Sequence, residues 1–90
     1  MPEKIRTIAF TLVAWEDYQY WVKQDRKVIK RINSLIKDIL RHPYEGIGKP
    51  EMLRFELTGL WSRRIDTEHR LVYQVDGRTL VIFQCRYHYS

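Results

Sequence analysis

Apolar side chains recur at helical spacing in two consecutive segments near the start of the chain. In the first segment, AWEDYQYWVKQD, Trp15, Tyr18 and Val22 fall on one helical face. The second segment has apolar residues at i, i+3, i+4 and i+7 along its whole length. They are Val28, Ile29, Ile32, Leu35, Ile36, Ile39 and Leu40. The pattern predicts two amphipathic helices, each with one buried face.

Residues suited to helix ends border both segments. Thr11 and Asp25 have side-chain oxygens that can accept hydrogen bonds from the first backbone N–H groups of a helix. Pro43 disfavours helical geometry at His42, the residue before it. We therefore expect one helix to begin after each cap and the second helix to end at His42.

Alternating apolar and polar positions, which are typical of strands, occur before the helices and again in the second half of the chain. The alternating runs are KIRTIAF, LRFEL, LWSRRI, HRLVYQV and TLVIFQCRYHY. In LRFEL the alternation would place Leu53, Phe55 and Leu57 on one face of a strand, and Asp76-Gly77 is a typical hairpin turn. The order β-α-α-β-β-β-β predicts one α+β domain over residues 1–90. Its antiparallel-rich twisted sheet would carry both helices on one face, with the other face open.

Basic side chains occupy alternating positions of the later strands. Period two places Arg64, Arg70 and His88 each on the opposite side of its strand from the neighbouring apolar residues. Three strands could therefore present cations to one surface. A bulge in any of these strands would reverse its parity, so alternation alone does not decide which face each set occupies.

Composition and charge narrow the classes of function. An apolar fraction of 44% with 13% aromatic residues supports a packed core. The net charge of +5 favours polyanionic partners such as nucleic acid. The single cysteine, Cys85, rules out an internal disulfide and lies in an apolar run, so we expect it to be buried, as suits a reducing cytosol. No signal peptide or membrane span is apparent, and we expect a cytoplasmic protein.

Candidate chemistry is limited to acid–base and electrostatic catalysis. The histidines lack familiar metal-ligand spacing, and no phosphate-binding loop or nucleophile motif is present, so no metal or cofactor is expected. RNA cleavage needs a base for the 2′-OH, cations for the phosphorane and an acid for the 5′-oxygen, and Glu51, Arg64, Arg70 and His88 supply these groups. Each also has an ordinary alternative, such as ion pairs from the two arginines to surface carboxylates like Glu56 or Asp66. These residues alone predict a small basic domain that binds RNA.

Four stretches, EDYQYW, GKPEML, ELTGLWSRRIDTEHRLVY and CRYHY, strongly resemble the YoeB toxins within the RelE group of bacterial toxin–antitoxin systems. The resemblance runs from about Trp15 to Tyr89 without an evident gap. It implies a RelE-like, microbial-RNase-like fold. It also implies a metal-independent endoribonuclease that cuts mRNA in the A site of the 70S ribosome after attack by the 2′-OH.

The same resemblance implies roles for individual residues. Glu51 matches the general base, Arg70 the arginine that stabilises the transition state, and His88 the general acid. Tyr89 matches the terminal tyrosine that positions or stacks the substrate.

Two further positions, Arg54 and Arg64, match cations near the scissile phosphate. Arg54 stands where the family has a lysine, so a planar fork replaces a compact ammonium in the phosphate contact. Ser90 follows the tyrosine that closes the chain in the family.

Partners follow from the resemblance as well. It implies neutralisation by a YefM-like antitoxin with a flexible acidic tail, contact with operator DNA only through the antitoxin complex, and a possible homodimer. Two alternatives stay open. One is a same-fold toxin directed at gyrase, as in the ParE group, although Glu51 together with His88 and Tyr89 speaks against it. The other is a catalytically inactive co-repressor module that binds nucleic acid or antitoxin.

Overall fold

The computed structural model describes residues 4–57 and 59–87. Within these residues the chain forms two helices, five strands and one 3₁₀ turn. The elements are β1 (Thr7–Phe10), α1 (Leu12–Gln24), α2 (Arg26–Arg41), β2 (Glu51–Met52), the 3₁₀ turn (Phe55–Leu57), β3 (Trp61–Arg64), β4 (Arg70–Asp76) and β5 (Thr79–Gln84). The α+β class and the order β-α-α-β-β-β-β are confirmed.

Both helices begin, and α2 ends, where the sequence predicts. The Thr11 hydroxyl accepts the Ala14 N–H at 3.0 Å, and the Asp25 carboxylate accepts the Lys27 N–H at 3.0 Å. At the end of α2 the His42 N–H donates to the carbonyl of Asp38 at 2.7 Å. These local hydrogen bonds satisfy backbone groups that a helix end leaves unpaired, which is why capping residues mark the boundaries in the sequence.

The five strands form one mixed sheet in the order β1-β5-β4-β3-β2. Strand β1 runs parallel to β5, and the other neighbouring pairs are antiparallel. The predicted hairpin is confirmed, since Asp76 pairs with Thr79 across a two-residue turn in which Gly77 has a φ of 59°. A bulge interrupts the β4–β5 register between Val72 and Tyr73.

The core lies between the two helices and one face of the sheet. The face predicted for α1 is wrong, because Trp15 and Val22 are exposed and the residues that α1 buries are Ala14 and Trp21. From α2, the apolar stripe predicted from the sequence contributes four buried residues, Ile32, Leu35, Ile36 and Ile39, and its remaining members are partly buried. The sheet side of the core contains Ile65, Leu71, Tyr73, Leu80, Ile82 and Cys85. Burial of Cys85 is therefore confirmed. No helix of the described residues is long and apolar enough to cross a membrane.

The run LRFEL is not a strand, so that prediction is wrong. Strand β2 contains only Glu51 and Met52, and the chain then enters the 3₁₀ turn, where Phe55 has a φ of 60° and is 88% exposed. The Leu57 N–H donates to the carbonyl of Arg54 at 3.2 Å, and the Leu53 N–H donates to that of Leu60 at 2.9 Å. These turn bonds use backbone groups that a strand would offer to a neighbouring strand. Alternation over only five residues is compatible with a strand and with this turn, so it did not distinguish the two conformations.

The final strand is shorter than the alternation predicts. Strand β5 ends at Gln84, and the chain continues through Cys85 to Tyr87 without regular structure. Tyr87 has a φ of 62°, which ends the extended geometry on which period-two parity depends. The predicted parity of His88 therefore does not follow from the strand, and His88 itself lies outside the described residues.

Candidate active site

The predicted base and the predicted transition-state arginine meet across the sheet. Glu51 lies on β2 and Arg70 on β4, with β3 between them. Arg70 Nη1 donates to Glu51 Oε1 at 3.3 Å, and their side chains are 26% and 63% exposed. The carboxylate is therefore accessible to a substrate hydroxyl while a guanidinium lies beside it.

A second cation lies in register with this pair. Arg64 on β3 pairs with Arg70 on β4. Its backbone is fixed on both sides, since its N–H donates to the carbonyl of Gly48 at 2.7 Å and its carbonyl accepts from Arg31 Nη2 at 3.1 Å. Its exposed guanidinium forms no ion pair or hydrogen bond with the described part of the chain. Strand alternation directs this side chain away from α2 and onto the open face of the sheet, an assignment that the sequence pattern left undecided.

The ordinary alternative for the two arginines is met in part, since Arg70 forms an ion pair with an exposed carboxylate, that of Glu51. Arg70 pairs with Glu51 and not with Glu56 or Asp66. Asp66 instead accepts two backbone N–H groups, those of Glu68 at 2.8 Å and His69 at 2.6 Å. Its carboxylate therefore closes the turn that precedes β4.

Of the remaining predicted site residues the structure describes only Arg54, and it does not bring Arg54 into contact with this pair. Arg54 is exposed between β2 and the 3₁₀ turn, and no side-chain contact joins it to Glu51 or Arg70 in the described ranges. His88 and Tyr89, together with Ser90, lie outside the described residues. The structure thus assembles Glu51, Arg64 and Arg70 on the open face of the sheet.

A buried arginine that the sequence reasoning missed supports the loop leading to Glu51. Arg63 is 0% exposed and faces α2, on the opposite side of β3 from Arg64. Its donors bind Asp38 Oδ2, the Tyr73 hydroxyl and the carbonyls of His42, Glu45 and Ile47. We call this set the Arg63 hub. The sequence did carry a signal, because Arg63 falls at a strand position on the same side as the apolar residues. A charged side chain is rarely fully buried without a partner, so an arginine at such a position indicates that it has one.

Glycine is required at two positions of the loop between α2 and β2, where the loop backbone packs against the Arg63 hub. A Cβ added to Gly46 would lie 2.0 Å from Asp38 Oδ2, and one added to Gly48 would lie 2.8 Å from a Leu35 methyl group. Both glycines have positive φ, 119° and 82°. The loop therefore packs directly on α2 and β3, and this packing fixes the approach of the chain to Glu51.

The segment after β5 is held beside Arg70. The Trp21 indole donates to the carbonyl of Cys85 at 2.8 Å, and the Cys85 N–H donates to Asp17 Oδ2 at 3.1 Å. Burial raises the pKa of Asp17, although the Cys85 N–H and the Arg86 charge oppose this shift. The Arg70 N–H donates to the carbonyl of Tyr87 at 2.9 Å. The chain is thus tied to the Arg70 strand up to its last described residue.

The described residues contain no group of three or more histidine, cysteine, aspartate or glutamate side chains placed to hold a metal ion. Among residues 4–57 and 59–87, the structure brings together at the open face the carboxylate of Glu51 and the guanidiniums of Arg64 and Arg70. Such a set can accept a proton and stabilise negative charge on a phosphate.

Comparison with known proteins identifies the family. Residues 10–89 match the model of the YoeB-like toxins of bacterial type II toxin–antitoxin systems. The toxin YoeB of Streptomyces coelicolor is 60% identical over 82 residues, covering 91% of this chain and 98% of the relative. The chain therefore belongs to the YoeB-like toxins, and the resemblance in the sequence is confirmed.

Solved structures agree with this assignment. The YoeB dimer from Staphylococcus aureus superimposes with a TM-score of 0.89 at 50% identity, covering 97% of this chain and all of that one. The toxin in the heterotetrameric YoeB–YefM complex from the same organism gives a TM-score of 0.86 at 50% identity and the same coverage. The fold described above is thus the fold of toxins in this family.

Proposed function

We propose that this toxin is a ribosome-dependent endoribonuclease that cuts mRNA in the A site of the 70S ribosome. The observation that carries the proposal is the Glu51–Arg70 pair, with 3.3 Å between carboxylate and guanidinium and Arg64 in register beside it. One accessible base next to two cations is what 2′-OH attack on a phosphodiester requires.

In the proposed reaction Glu51 removes the proton of the 2′-OH, and the 2′-oxygen attacks the adjacent phosphorus. The bond from phosphorus to the 5′-oxygen breaks, and His88 gives that oxygen a proton. The products are a 2′,3′-cyclic phosphate and a 5′-hydroxyl. No oxidant, reductant or metal ion is needed to balance this step.

The arginines act on the charge of the phosphorane. Arg70 can turn from Glu51 to a phosphate oxygen, which leaves the carboxylate free to act as a base. The guanidinium of Arg64, which has no partner in the described part of the chain, can bind a second oxygen, and Arg54 adds a cation at the exposed edge. Tyr89 is proposed to stack on or position the substrate. Such fixed charges gain strength when the site is closed off from water.

The exposure of the site supports dependence on the ribosome. Glu51 is 63% exposed, and an open sheet face offers few groups that could orient a nucleotide by itself. A ribosome-bound codon would arrive already ordered, so the entropic cost of alignment falls on the ribosome. The net charge of +5 would favour approach to ribosomal RNA.

The proposed partners are a YefM-like antitoxin and a second toxin copy, as in the Staphylococcus aureus structures. An acidic flexible segment of the antitoxin would cover Arg64 or Arg70 and displace the end of the chain. The toxin would reach operator DNA only through this complex. We propose a single domain over residues 1–90 that acts in the cytoplasm.

Primer-extension toeprinting on programmed ribosomes tests the proposal. Purified toxin should truncate the mRNA within the A-site codon and should leave free mRNA largely intact. Cleavage should persist when a chelator is added at a concentration that leaves the ribosomes assembled. Equal cleavage of free and ribosome-bound mRNA would contradict the ribosome dependence, and loss of cleavage on intact chelated ribosomes would contradict the metal-independent mechanism. Inhibition of gyrase without any mRNA cleavage would favour the ParE-like alternative.

A further inference from the structure

The imidazole of His69 is built into the connection between β3 and β4. It is 9% exposed, and its ring packs edge-on against Trp21 with 4.8 Å between ring centroids. The backbone of His69 is fixed by its neighbours, because its N–H donates to Asp66 Oδ1 at 2.6 Å and its carbonyl accepts the Ile65 N–H at 2.9 Å. The ring therefore has little freedom to turn.

One nitrogen of this ring binds the backbone near the end of the chain. The Tyr87 N–H donates to His69 Nδ1 at 2.7 Å, so Nδ1 carries no proton and Nε2 carries the proton of the neutral ring. Nε2 lies 3.7 Å from Glu68 Oε1. The single buried acceptor of His69 is thus used by one backbone donor.

Arg70, the residue after His69, completes a two-point attachment of Tyr87. The Tyr87 carbonyl accepts the Arg70 N–H at 2.9 Å, while the Tyr87 N–H is bound by His69. Tyr87 has a φ of 62°, a conformation that costs a non-glycine residue free energy and persists only where surrounding contacts hold it. Its side chain is 55% exposed, so side-chain burial alone does not fix this backbone.

We propose that His69 is a positioning residue for cleavage: by binding the Tyr87 N–H it holds the backbone of Tyr87 against Arg70, the residue that pairs with Glu51. This inference rests on the proposed function, in which Arg70 acts on the charge of the phosphorane. It assigns to the histidine of EHRLVY a hydrogen-bond acceptor role that is separate from its packing on Trp21.

Two variants separate the acceptor from the ring. His69→Phe keeps an aromatic ring against Trp21 but removes the acceptor. His69→Asn removes the ring but keeps an oxygen at nearly the position of Nδ1, one bond beyond Cγ. His42→Phe is the matched control, since its exposed imidazole only approaches Glu45 at 3.8 Å.

Single-turnover cleavage on programmed ribosomes should be measured with the toxin concentration varied. At saturation we expect His69→Phe to be slower by about a hundredfold, because a displacement of about 1 Å costs that much in alignment. The half-saturating concentration should not change. His69→Asn should keep most of the wild-type rate despite a lower Tm, and His42→Phe should match the wild type. Hydrogen exchange of the Tyr87 amide should be faster in the Phe variant and remain slow in the Asn variant.

The outcomes separate this inference from the proposed function. An inactive wild type would refute the proposed function and the positioning role with it, although the Tyr87 amide would still report the hydrogen bond. An active wild type with an equally active His69→Phe variant would refute only the positioning role. Equal losses of rate in the Phe and Asn variants, following their losses in Tm, would show that His69 acts by packing alone and would also overturn the inference.

Discussion

Replacing Arg63 with methionine tests how the loop before Glu51 is held. Methionine is similar to arginine in length and in the aliphatic part of its side chain, but it removes the guanidinium from the Arg63 hub. Asp38, whose side chain is 23% exposed, would lose its ion pair, and three backbone carbonyls would each lose a donor. Removing one partner of a buried ion pair costs about 3–5 kcal/mol.

We expect the free energy of unfolding to fall by this amount. For a domain of this size each kcal/mol lowers Tm by about 4–8 °C, which gives a decrease of roughly 12–40 °C. The adjacent Arg64 is the matched control, because its guanidinium is exposed and has no partner among the described residues. Arg64→Met should change stability by no more than about 0.5 kcal/mol.

Urea unfolding followed by tryptophan fluorescence and far-UV circular dichroism measures both variants. The midpoint of Arg63→Met should lie far below that of the wild type, while Arg64→Met should unfold with the wild type. Equal midpoints for the two variants would refute the stabilising role of the hub.

The pH dependence gives a second test of the hub. Hydrogen bonding from Arg63 lowers the pKa of Asp38. A carboxyl with a lowered folded-state pKa stabilises the protein above its unfolded pKa of about 3.9, and this stabilisation is lost as pH falls through the folded value. Asp38→Asn should therefore be less stable than the wild type at neutral pH, and the difference should shrink in acid. A difference that is constant from neutral pH to about pH 3 would contradict the ion pair's contribution.

Three further predictions concern the site, the buried thiol and the partner. Arg70→Ala and His88→Ala should each abolish toxicity at equal expression. Tm should fall little for Arg70→Ala, because its side chain lies on the open face of the sheet and substitutions away from the core cost about 0.5 kcal/mol. A growth assay with thermal melts checks this, and a toxic variant would remove that residue from the mechanism. Burial, with a smaller effect of the Asp17 carboxylate, raises the pKa of Cys85 to about 12. Iodoacetamide should therefore modify Cys85 only after unfolding, and mass spectrometry showing rapid labelling of the folded toxin would contradict its burial. Bound YefM-like antitoxin should protect Arg64 or Arg70 and shift the end of the chain; unchanged terminal resonances, with protection confined to the helices, would contradict the proposed neutralisation.

Much of the fold could be predicted because its signals are local. The Thr11 and Asp25 caps, the α2 stripe and the Asp76-Gly77 hairpin each depend on residues a few positions apart, and all were confirmed. Strand alternation also placed Arg64 and Arg70 opposite the neighbouring apolar residues of their strands, although it did not decide which face of the sheet they occupy. Family membership was predicted from the four resembling stretches and confirmed by comparison.

The features that sequence reasoning missed depend on distant contacts. Alternation in LRFEL predicted a strand because five residues carry no information on whether a neighbouring strand is available to them. The role of Arg63 depends on a loop and a helix separated from it by up to 25 residues. Likewise, the hydrogen bond from Tyr87 to His69 closes over 18 residues, and no periodicity in the sequence marks it.

The most direct test of the central claim uses mRNA with a single 2′-deoxy nucleotide on the 5′ side of the scissile phosphate in the A-site codon. If Glu51 generates a 2′-oxygen nucleophile beside Arg70, the all-ribose mRNA should be cut on the ribosome and yield a 2′,3′-cyclic phosphate. The 2′-deoxy mRNA should bind equally but resist cleavage at that position. Cleavage of the 2′-deoxy mRNA at the wild-type rate and position would contradict the proposed mechanism.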